Sequence, residues 1–233
     1  GGWAGYFYNS KASDDAPGNS GSTDDMIYKF NLTYDVSDNL LAFFNYAEGF
    51  RPGGGNTEGA TNPNVPETYQ PDVLDSYEFG WKMRSDDGRT TFNGAVYHME
   101  WTDFQTSIYD LLISPLIFRA NAGNAEVDGI EAELNTLVGE RLMLGVGATY
   151  NQSQLTKDFN STVDPDVVWA PKGRRLPYSP ELRYSANARY TWEQGAAATG
   201  YAHISYSYTD DMWNLLITEP FQADAIPRLQ DPY

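Results

Sequence analysis

Apolar and polar residues alternate with a period of two along most of the chain. In residues 26–36 the even positions are all apolar, whereas the odd positions are mostly polar. A β-strand points successive side chains to opposite faces of its sheet, so this segment predicts a strand with one apolar and one polar face. The same alternation predicts strands at residues 76–84, 142–151, 182–192 and 202–208.

Weaker alternation predicts further strands at residues 40–50, 89–101 and 125–135, and a short one near residues 3–8. In residues 89–101 both faces mix apolar and polar side chains, so the pattern does not decide which face is apolar. Helical periodicity is weak throughout the chain. The segments therefore predict an all-β protein with antiparallel strands.

The connections between these strands alternate between short and long. The short ones are residues 37–39, 85–88, 136–140 and 193–199. The long ones are residues 51–72, 102–118, 156–180 and the tail from residue 209. This alternation is typical of outer-membrane β-barrels, which have short periplasmic turns and long extracellular loops. We therefore predict an up-and-down transmembrane β-barrel segment that contacts outer-membrane lipid.

The aromatic residues agree with a barrel that crosses a membrane. The chain has 17 Tyr, 11 Phe and 6 Trp, and many of them lie near the ends of the predicted strands. Tyr and Trp favour the membrane–water boundary, so this placement predicts two aromatic girdles around an apolar band. The alternative is a soluble β-sandwich that binds carbohydrate through loop Trp and Tyr residues.

Charge and cysteine content exclude several classes of protein. The formal net charge is −17 and the chain has no Cys. Nucleic acid is excluded as a partner because basic patches are missing, and disulfides and zinc–thiolate sites are excluded as well. No apolar run approaches the roughly 20 residues of a spanning helix, and no signal peptide begins the sequence. We interpret the acidic turns and loops as a solvated surface, and the alternative is that they attract cations or basic ligands.

No pattern in the sequence predicts catalysis, a cofactor or a metal site. His98 and Glu100 share a strand face, but a metal site needs further ligands, so we interpret His98 as a boundary or lumen residue. Glu131 and Glu133 also share a face and are expected to pair with lumen cations or with a plug. The glycines at 53–55 lack the Lys and Ser/Thr of a phosphate loop, and no GxSxG motif is present.

Four stretches together resemble the barrel of TonB-dependent receptors. They are LTYDVSDNLLAFFNYAEGFRPGGGN at 32–56, YEFGWKMRSDDGRTTFNGAVYHMEWTDFQ at 77–105, NAGNAEVDGIEAEL at 121–134 and RRLPYSPELRYSANARY at 174–190. They follow one another in the family's order and at its spacing. The resemblance covers the chain from about residue 26 to its end.

The resemblance implies a 22-stranded barrel filled by an N-terminal plug, in the outer membrane of a Gram-negative bacterium. On this basis residues 1–233 are expected to form part of one barrel domain, with the plug and the closing strands outside the chain. The final residues, AIPRLQDPY, do not read as a closing strand, because Pro232 cannot donate to a strand ladder. The implied partner is the inner-membrane TonB complex, which binds a missing N-terminal region.

The implied function is uptake of a scarce small molecule: a siderophore, a vitamin or an oligosaccharide. In this family ligands meet the outer loops and the plug, and Trp169 and Trp213 are expected either to stack on a ligand ring or to pack against a neighbouring loop. The candidate ligand-binding residues are Arg51, Asn56, Tyr69, Trp169, Arg174, Trp213 and Asn214. The alternative function is a passive outer-membrane pore or a small structural or adhesive barrel.

Overall fold

A computed structural model describes residues 2–16, 19–109, 113–194 and 198–217, with side chains from residue 26 onward. The described residues form strands and no helix. The strands are β1 (Gly2–Ala16), β2 (Asn19–Ser37), β3 (Leu40–Arg51), β4 (Gly54–Gly55), β5 (Thr68–Tyr69), β6 (Asp72–Arg84), β7 (Thr90–Thr102), β8 (Gln105–Ile108), β9 (Phe118–Asn121), β10 (Ala125–Val138), β11 (Leu142–Leu155), β12 (Phe159–Asn160), β13 (Val168–Ala170), β14 (Leu182–Glu193) and β15 (Thr199–Thr209).

Nine of these strands form one antiparallel sheet in the order β1-β2-β3-β6-β7-β10-β11-β14-β15. Each strand pairs with the next long strand of the chain, so the sheet runs up and down without a crossover. The shortest of the nine has 11 residues and the longest has 19. A tilted strand needs about 9–11 residues to cross a bilayer. The predicted all-β, up-and-down arrangement is confirmed.

Short and long connections alternate as predicted. From β2 onward the short connections lie at one end of the sheet and are residues 38–39, 85–89, 139–141 and 194–198, whereas only two residues separate β1 from β2 at the other end. In the second of these turns, Asp87 accepts hydrogen bonds from the Ser85 hydroxyl (2.6 Å) and the Arg89 backbone N–H (3.0 Å). These bonds favour the ionised carboxylate and hold the pKa of Asp87 below its ordinary value.

Each long connection carries a small two-stranded sheet: β4–β5, β8–β9 and β12–β13. These three connections lie at the end of the sheet opposite to the turns. The hairpin β8–β9 joins Ser107 to Arg119 and Ile108 to Phe118 as directly opposed pairs. One side of the hairpin is therefore apolar and the other polar, which lets it contact a different loop on each side.

One face of the nine-stranded sheet is apolar and uncovered. Directly opposed residues share a face, and the register places Phe44, Phe79, Val96 and Ile130 side by side. Phe79 is 51% exposed and Val96 42% exposed. The register also settles the phase of β7, because Val96 lies on the apolar face and Tyr97 on the opposite one. A continuous apolar face without a cover is what lipid requires of a barrel wall.

Aromatic pairs border this apolar face at both ends. Near the long loops, Tyr46 and Tyr77 lie 5.1 Å apart between ring centroids. Tyr184 and Tyr208 are likewise 5.0 Å apart. The opposite border includes Trp81 and Phe92, whose centroids are 5.7 Å apart. These rows match the two predicted girdles.

A row of four carboxylates lies on the same face, just beyond the Tyr46–Tyr77 row. The register opposes Glu48 to Asp75, Asp75 to Glu100, and Glu100 to Glu126. Like charges directly opposite each other destabilise a sheet unless solvent screens them. This row therefore marks where the wall leaves the apolar phase and enters water.

The buried apolar core lies among the long loops rather than within the sheet. We call this set the loop core. Its side chains come from the three long connections, from the segment that follows β15 and from the loop ends of β10 and β11. The loop core consists of Val65, Ile108, Phe118, Ala120, Ala122, Ala125, Leu155, Phe159, Trp169, Ala170, Leu176, Leu216 and Ile217. The loops are thus packed against one another as a folded unit.

On the polar face, some glycines admit a neighbouring aromatic ring. A Cβ on Gly80 would lie 2.2 Å from Phe43 Cζ and 2.9 Å from the Gly94 carbonyl oxygen. The ring can turn, but the carbonyl belongs to the paired strand and cannot. We expect Gly80→Ala to destabilise the folded protein by about 1–3 kcal/mol, measured by urea unfolding of the full-length protein.

Gly147 supplies the matched control for this substitution. It lies on the same polar face, and its added Cβ would meet no atom closer than 3.6 Å. We expect Gly147→Ala to change stability by less than about 0.5 kcal/mol. Equal effects of the two substitutions would contradict the close packing of Phe43 over Gly80.

Candidate functional site

A buried ionic network, which we call the loop-base hub, joins the bases of the first two long loops. Asp72 begins β6 and is 1% exposed, whereas its partner Arg51 ends β3. Arg51 Nε donates to both carboxylate oxygens of Asp72 at 3.0 Å, and Nη2 donates to the same carboxylate. The Gln105 backbone N–H donates to Asp72 Oδ2 at 3.0 Å. Asp72 thereby links β3, β6 and β8.

Gln105 completes the hub through its side chain. Its amide nitrogen donates to the carbonyl oxygens of Pro52 and Gln70, both at 3.0 Å. The Arg51 guanidinium also lies 4.9 Å from the Trp101 ring centroid. The guanidinium of Arg51 is thus already paired with Asp72 and packed against Trp101. Of the seven candidate residues, Arg51 therefore has the clearest internal role, which is to hold the loop bases.

Asn56 and Tyr69 come together at a second place, around Arg119. The Asn56 amide nitrogen donates to the Arg119 carbonyl oxygen, and its amide oxygen accepts from the Arg119 N–H, both at 2.8 Å. Asn56 therefore pairs with the β9 backbone as another strand would. The Arg119 guanidinium lies 5.7 Å from the Tyr69 ring centroid, and Nη1 is 3.5 Å from the Tyr69 hydroxyl.

These residues border a cleft of about 330 Å³, which we call the Arg119 cleft. Its wall combines one cation, one carboxylate, hydroxyl groups and aliphatic side chains. The residues that define it here are Glu58, Tyr69, Ser107, Leu116, Ile117 and Arg119. The volume lies at the low end of the roughly 300–1,000 Å³ found for ligand pockets. It suits a small group or one arm of a larger molecule.

Arg174, Trp213 and Asn214 form a third group, which we call the Arg174 shelf. The Arg174 guanidinium lies 4.1 Å from the Trp213 ring centroid, in a cation–π contact. Burial, together with the nearby charge of Arg175, lowers the pKa of Arg174 below its ordinary value. Arg174 Nε and Asn214 Oδ1 are buried and have no hydrogen-bond partner among the described residues. Such atoms are costly and call for a water or a ligand.

Tyr178 lies beside this shelf and extends its aromatic surface. Its backbone N–H donates to the Trp213 carbonyl oxygen at 2.8 Å. Its side chain is 65% exposed and its φ is 57°, a left-handed conformation that is strained for a bulky residue. An exposed ring held in a strained conformation is a candidate ligand contact that the sequence alone did not indicate.

Trp169 lies in the loop core and does not offer a ring face to a ligand in this conformation. It is 2% exposed, and its ring meets Phe159 edge-on with a centroid separation of 5.2 Å. The predicted stacking role required an exposed ring. The geometry instead supports a structural role, because β13 places Trp169 between β12 and the other loops.

The polar face of the sheet is concave and holds both charge signs. Lys82, Glu131, Glu133 and Arg183 border a space of about 530 Å³ on this face. Glu131 and Arg183 lie on β10 and β14, which β11 separates. Among the described residues, neither Arg183 nor Arg189 forms an ion pair with Glu131 or Glu133, so the expected pairing within the wall is absent there.

His98 is a boundary residue on the apolar face, as expected. Its Nδ1 lies 2.8 Å from Asp128 Oδ1 and its Nε2 lies 3.4 Å from Glu100 Oε1. Its ring stacks near Tyr77. Within the described ranges no group of three or more His, Cys, Asp or Glu side chains is arranged to hold a metal ion. In the same ranges no helix is long and apolar enough to cross a membrane.

Comparison with known proteins identifies the family. The family profile described as "TonB dependent receptor-like, beta-barrel" matches residues 3–225. The chain therefore belongs to the TonB-dependent receptor family, as part of an outer-membrane β-barrel of a Gram-negative bacterium. The predicted fold and location are confirmed, and the soluble β-sandwich alternative is wrong.

The curated relatives it matches are siderophore receptors by name. The chain is 32% identical over 133 residues to the ferric-pyoverdine M114 receptor PbuA of Pseudomonas sp. strain M114. This match covers 57% of this chain and 15% of that protein. It is 27% identical over 145 residues to the probable TonB-dependent siderophore receptor PiuA of Acinetobacter baumannii. This match covers 60% of this chain and 19% of that protein. The chain thus spans less than one fifth of either relative.

A solved structure shows the same fold. The ferric yersiniabactin uptake receptor FyuA from Yersinia pestis superposes with a TM-score of 0.65, covering 92% of this chain and 29% of that chain. At 16% identity this likeness concerns the fold alone. In family terms, the polar concave face is the lumen side of the wall. The long loops, with the Arg119 cleft and the Arg174 shelf, lie at its extracellular end.

Proposed function

We propose that the protein is a TonB-dependent receptor that imports a ferric siderophore across the outer membrane. The observation that carries this proposal is the match to siderophore receptors over a family barrel whose loops form a folded unit above the lumen. The two curated relatives described above are siderophore receptors, so a siderophore is favoured over a vitamin or an oligosaccharide. The family comprises receptors that transport rather than enzymes.

In this proposal residues 1–233 are part of one barrel domain, and the plug is formed by another part of the protein. The concave face supports this arrangement. Lys82, Glu131, Glu133 and Arg183 border an open space without ion pairs between the β10 carboxylates and the β14 guanidinium. A plug with complementary charges would pair with them. The TonB complex would then bind an N-terminal region outside this chain and pull on the plug.

The ligand is proposed to meet two groups of loop residues. The Arg119 cleft includes Asn56 and Tyr69 at its border. The Arg174 shelf supplies the Trp213 ring and two buried polar atoms, Arg174 Nε and Asn214 Oδ1, that have no hydrogen-bond partner among the described residues. Arg51 and Trp169 are proposed to act indirectly, by holding the hub and the loop core. Large aromatic and guanidinium groups dominate binding energy at recognition sites, which fits both groups.

Growth under iron limitation tests this proposal. A strain in which the full-length gene is deleted should lose growth on the ferric siderophore that the receptor transports, and the intact gene should restore it. A gene that encodes Trp213→Ala and Tyr178→Ala should restore growth poorly at low siderophore concentration and well at high concentration. Restored growth with cobalamin or an oligosaccharide, and with no ferric siderophore of a broad panel, would overturn the proposal.

A further inference from the structure

Arg119 is the one positive charge in two acidic loops. Residues 52–71 and 103–124 contain no other Lys or Arg, whereas they contain Glu58, Glu67, Asp103 and Asp110. A lone cation among acids would be expected to pair with a carboxylate. In the described residues Arg119 forms no ion pair, although Glu58 borders the same cleft.

The contacts of Glu58 explain why Arg119 has no carboxylate partner. The Glu58 carboxylate accepts a hydrogen bond from the hydroxyl of Ser114, a residue that is 1% exposed. The same hydroxyl accepts the Leu116 N–H at 2.9 Å. Glu58 is thus used to fix the turn before β9. Its remaining charge lies in the cleft without neutralising the guanidinium.

The backbone of Arg119 is held in place, and its exposed guanidinium has no carboxylate partner among the described residues. Asn56 fixes its backbone through two hydrogen bonds of 2.8 Å, and the Tyr69 ring lies alongside its guanidinium. The 3.5 Å approach of Nη1 to the Tyr69 hydroxyl is the hydrogen bond of that guanidinium within the described residues. Its other N–H groups remain available for an anion. A fixed guanidinium binds a carboxylate through two parallel hydrogen bonds with little loss of side-chain entropy.

Two aliphatic side chains, Leu116 and Ile117, border the same cleft as the Arg119 guanidinium. Leu116 is 56% exposed and Ile117 is 68% exposed, although both belong to a loop in water. Leu116 is held in place, because its backbone N–H donates to the Ser114 hydroxyl at 2.9 Å. Exposed apolar residues that are held apart from a core mark a binding surface.

We propose that the Arg119 cleft binds an aliphatic carboxylate, that is, a short carboxylate-bearing arm of the siderophore. The guanidinium takes the carboxylate, Tyr69 borders it, and Leu116 and Ile117 cover the attached methylene groups. A cleft of about 330 Å³ accommodates such an arm and leaves the ferric centre outside it. This inference rests on the proposed function for its ligand, but the cleft and its chemistry stand on the contacts above.

Fluorine NMR on the full-length receptor in lipid nanodiscs tests the cleft directly. The probe is 6,6,6-trifluorohexanoate, with the matching amide as the uncharged control. We expect the carboxylate to bind and the amide to bind at least about tenfold more weakly, because one charge-assisted pair is lost. Arg119→Gln should reduce the carboxylate to the level of the amide, and Ile117→Ser should weaken both probes equally.

Lys172→Gln is the matched control, since Lys172 is an exposed cation on another loop. It should leave the affinity for the carboxylate unchanged. Equal binding of carboxylate and amide, or equal loss in Lys172→Gln and Arg119→Gln, would overturn the inference. Uptake of ⁵⁵Fe as a ferric siderophore is measured separately, in cells that express the full-length receptor. Uptake with no discrimination between the probes rejects the cleft alone, whereas absence of uptake rejects the proposed function.

Discussion

Replacing Trp169 by alanine is expected to open the loop core while leaving the barrel wall folded. Trp169 is 2% exposed and lies edge-on against Phe159, so its removal leaves a large cavity. Truncation of a buried Trp costs about 3–5 kcal/mol. The loop core touches the nine-stranded sheet only at the loop ends of β10 and β11, so this cost should appear as local opening of the loops. Hydrogen exchange by mass spectrometry should show faster exchange in β8, β9 and β13.

Val168 provides the control for this substitution. It is the neighbour of Trp169 on β13, but its side chain is 42% exposed. Val168→Ala should change loop exchange little, and the strands of the wall should keep their protection in both variants. If Trp169→Ala left the loops fully protected, the loop core would not depend on this residue. Under the proposed function, siderophore affinity should also fall in Trp169→Ala, because the loops that carry the proposed ligand contacts lose their packing.

Replacing Asp72 by alanine is expected to release the bases of the first two loops. Asp72 is 1% exposed, accepts three donors of Arg51 and Gln105, and has no solvent to replace them. Removing one partner of a buried ion pair costs about 3–5 kcal/mol, and the half-exposed side chain of Arg51 reduces this to about 2–4 kcal/mol. Chemical unfolding of the full-length receptor measures the loss.

Two further variants separate the ionic contribution from general damage. Asp72→Asn keeps an acceptor for the Gln105 N–H and should lose less stability than Asp72→Ala. Asp166→Ala removes an exposed loop carboxylate and should be neutral within about 0.5 kcal/mol. The account of the hub fails if Asp72→Ala is as well tolerated as Asp166→Ala.

The strands were predictable because each one must satisfy two solvents at once. In β2, the alternation from Met26 to Val36 exists because one face meets lipid and the other the lumen. In β7 this signal fails. Its lumen face carries Tyr97 and Met99, and its lipid face carries Gly94, His98 and Glu100. Its phase therefore became visible only through pairing with β6 and β10.

The loops were predictable in position and length but not in structure. The strands β8 and β9 have four residues each, too few for a periodic signal, and they form because the loop core buries Ile108 and Phe118. Trp169 was expected to be exposed, since it lies in a long polar loop. Its burial depends on contacts with residues far away in the sequence, which no local pattern encodes.

The candidate site was predictable only in part for the same reason. The seven loop residues stay predictions as ligand contacts, and the structure groups Asn56 with Tyr69, and Arg174 with Trp213. Arg119 was missed because nothing local distinguishes it within FRANAG. Its significance comes from Asn56, 63 positions away, which fixes its backbone, and from Glu58, which is engaged elsewhere. The sequence did offer one indication, because Arg119 is the only Lys or Arg in residues 52–71 and 103–124.

Energy-dependent iron uptake tests the central claim most directly. Cells that carry the full-length receptor in place of their own siderophore receptors are given ⁵⁵Fe-siderophore, with and without a functional TonB protein. The account predicts ⁵⁵Fe accumulation only when TonB functions, and binding without accumulation when it does not. Accumulation at the same rate without TonB would contradict the account and indicate a passive pore instead.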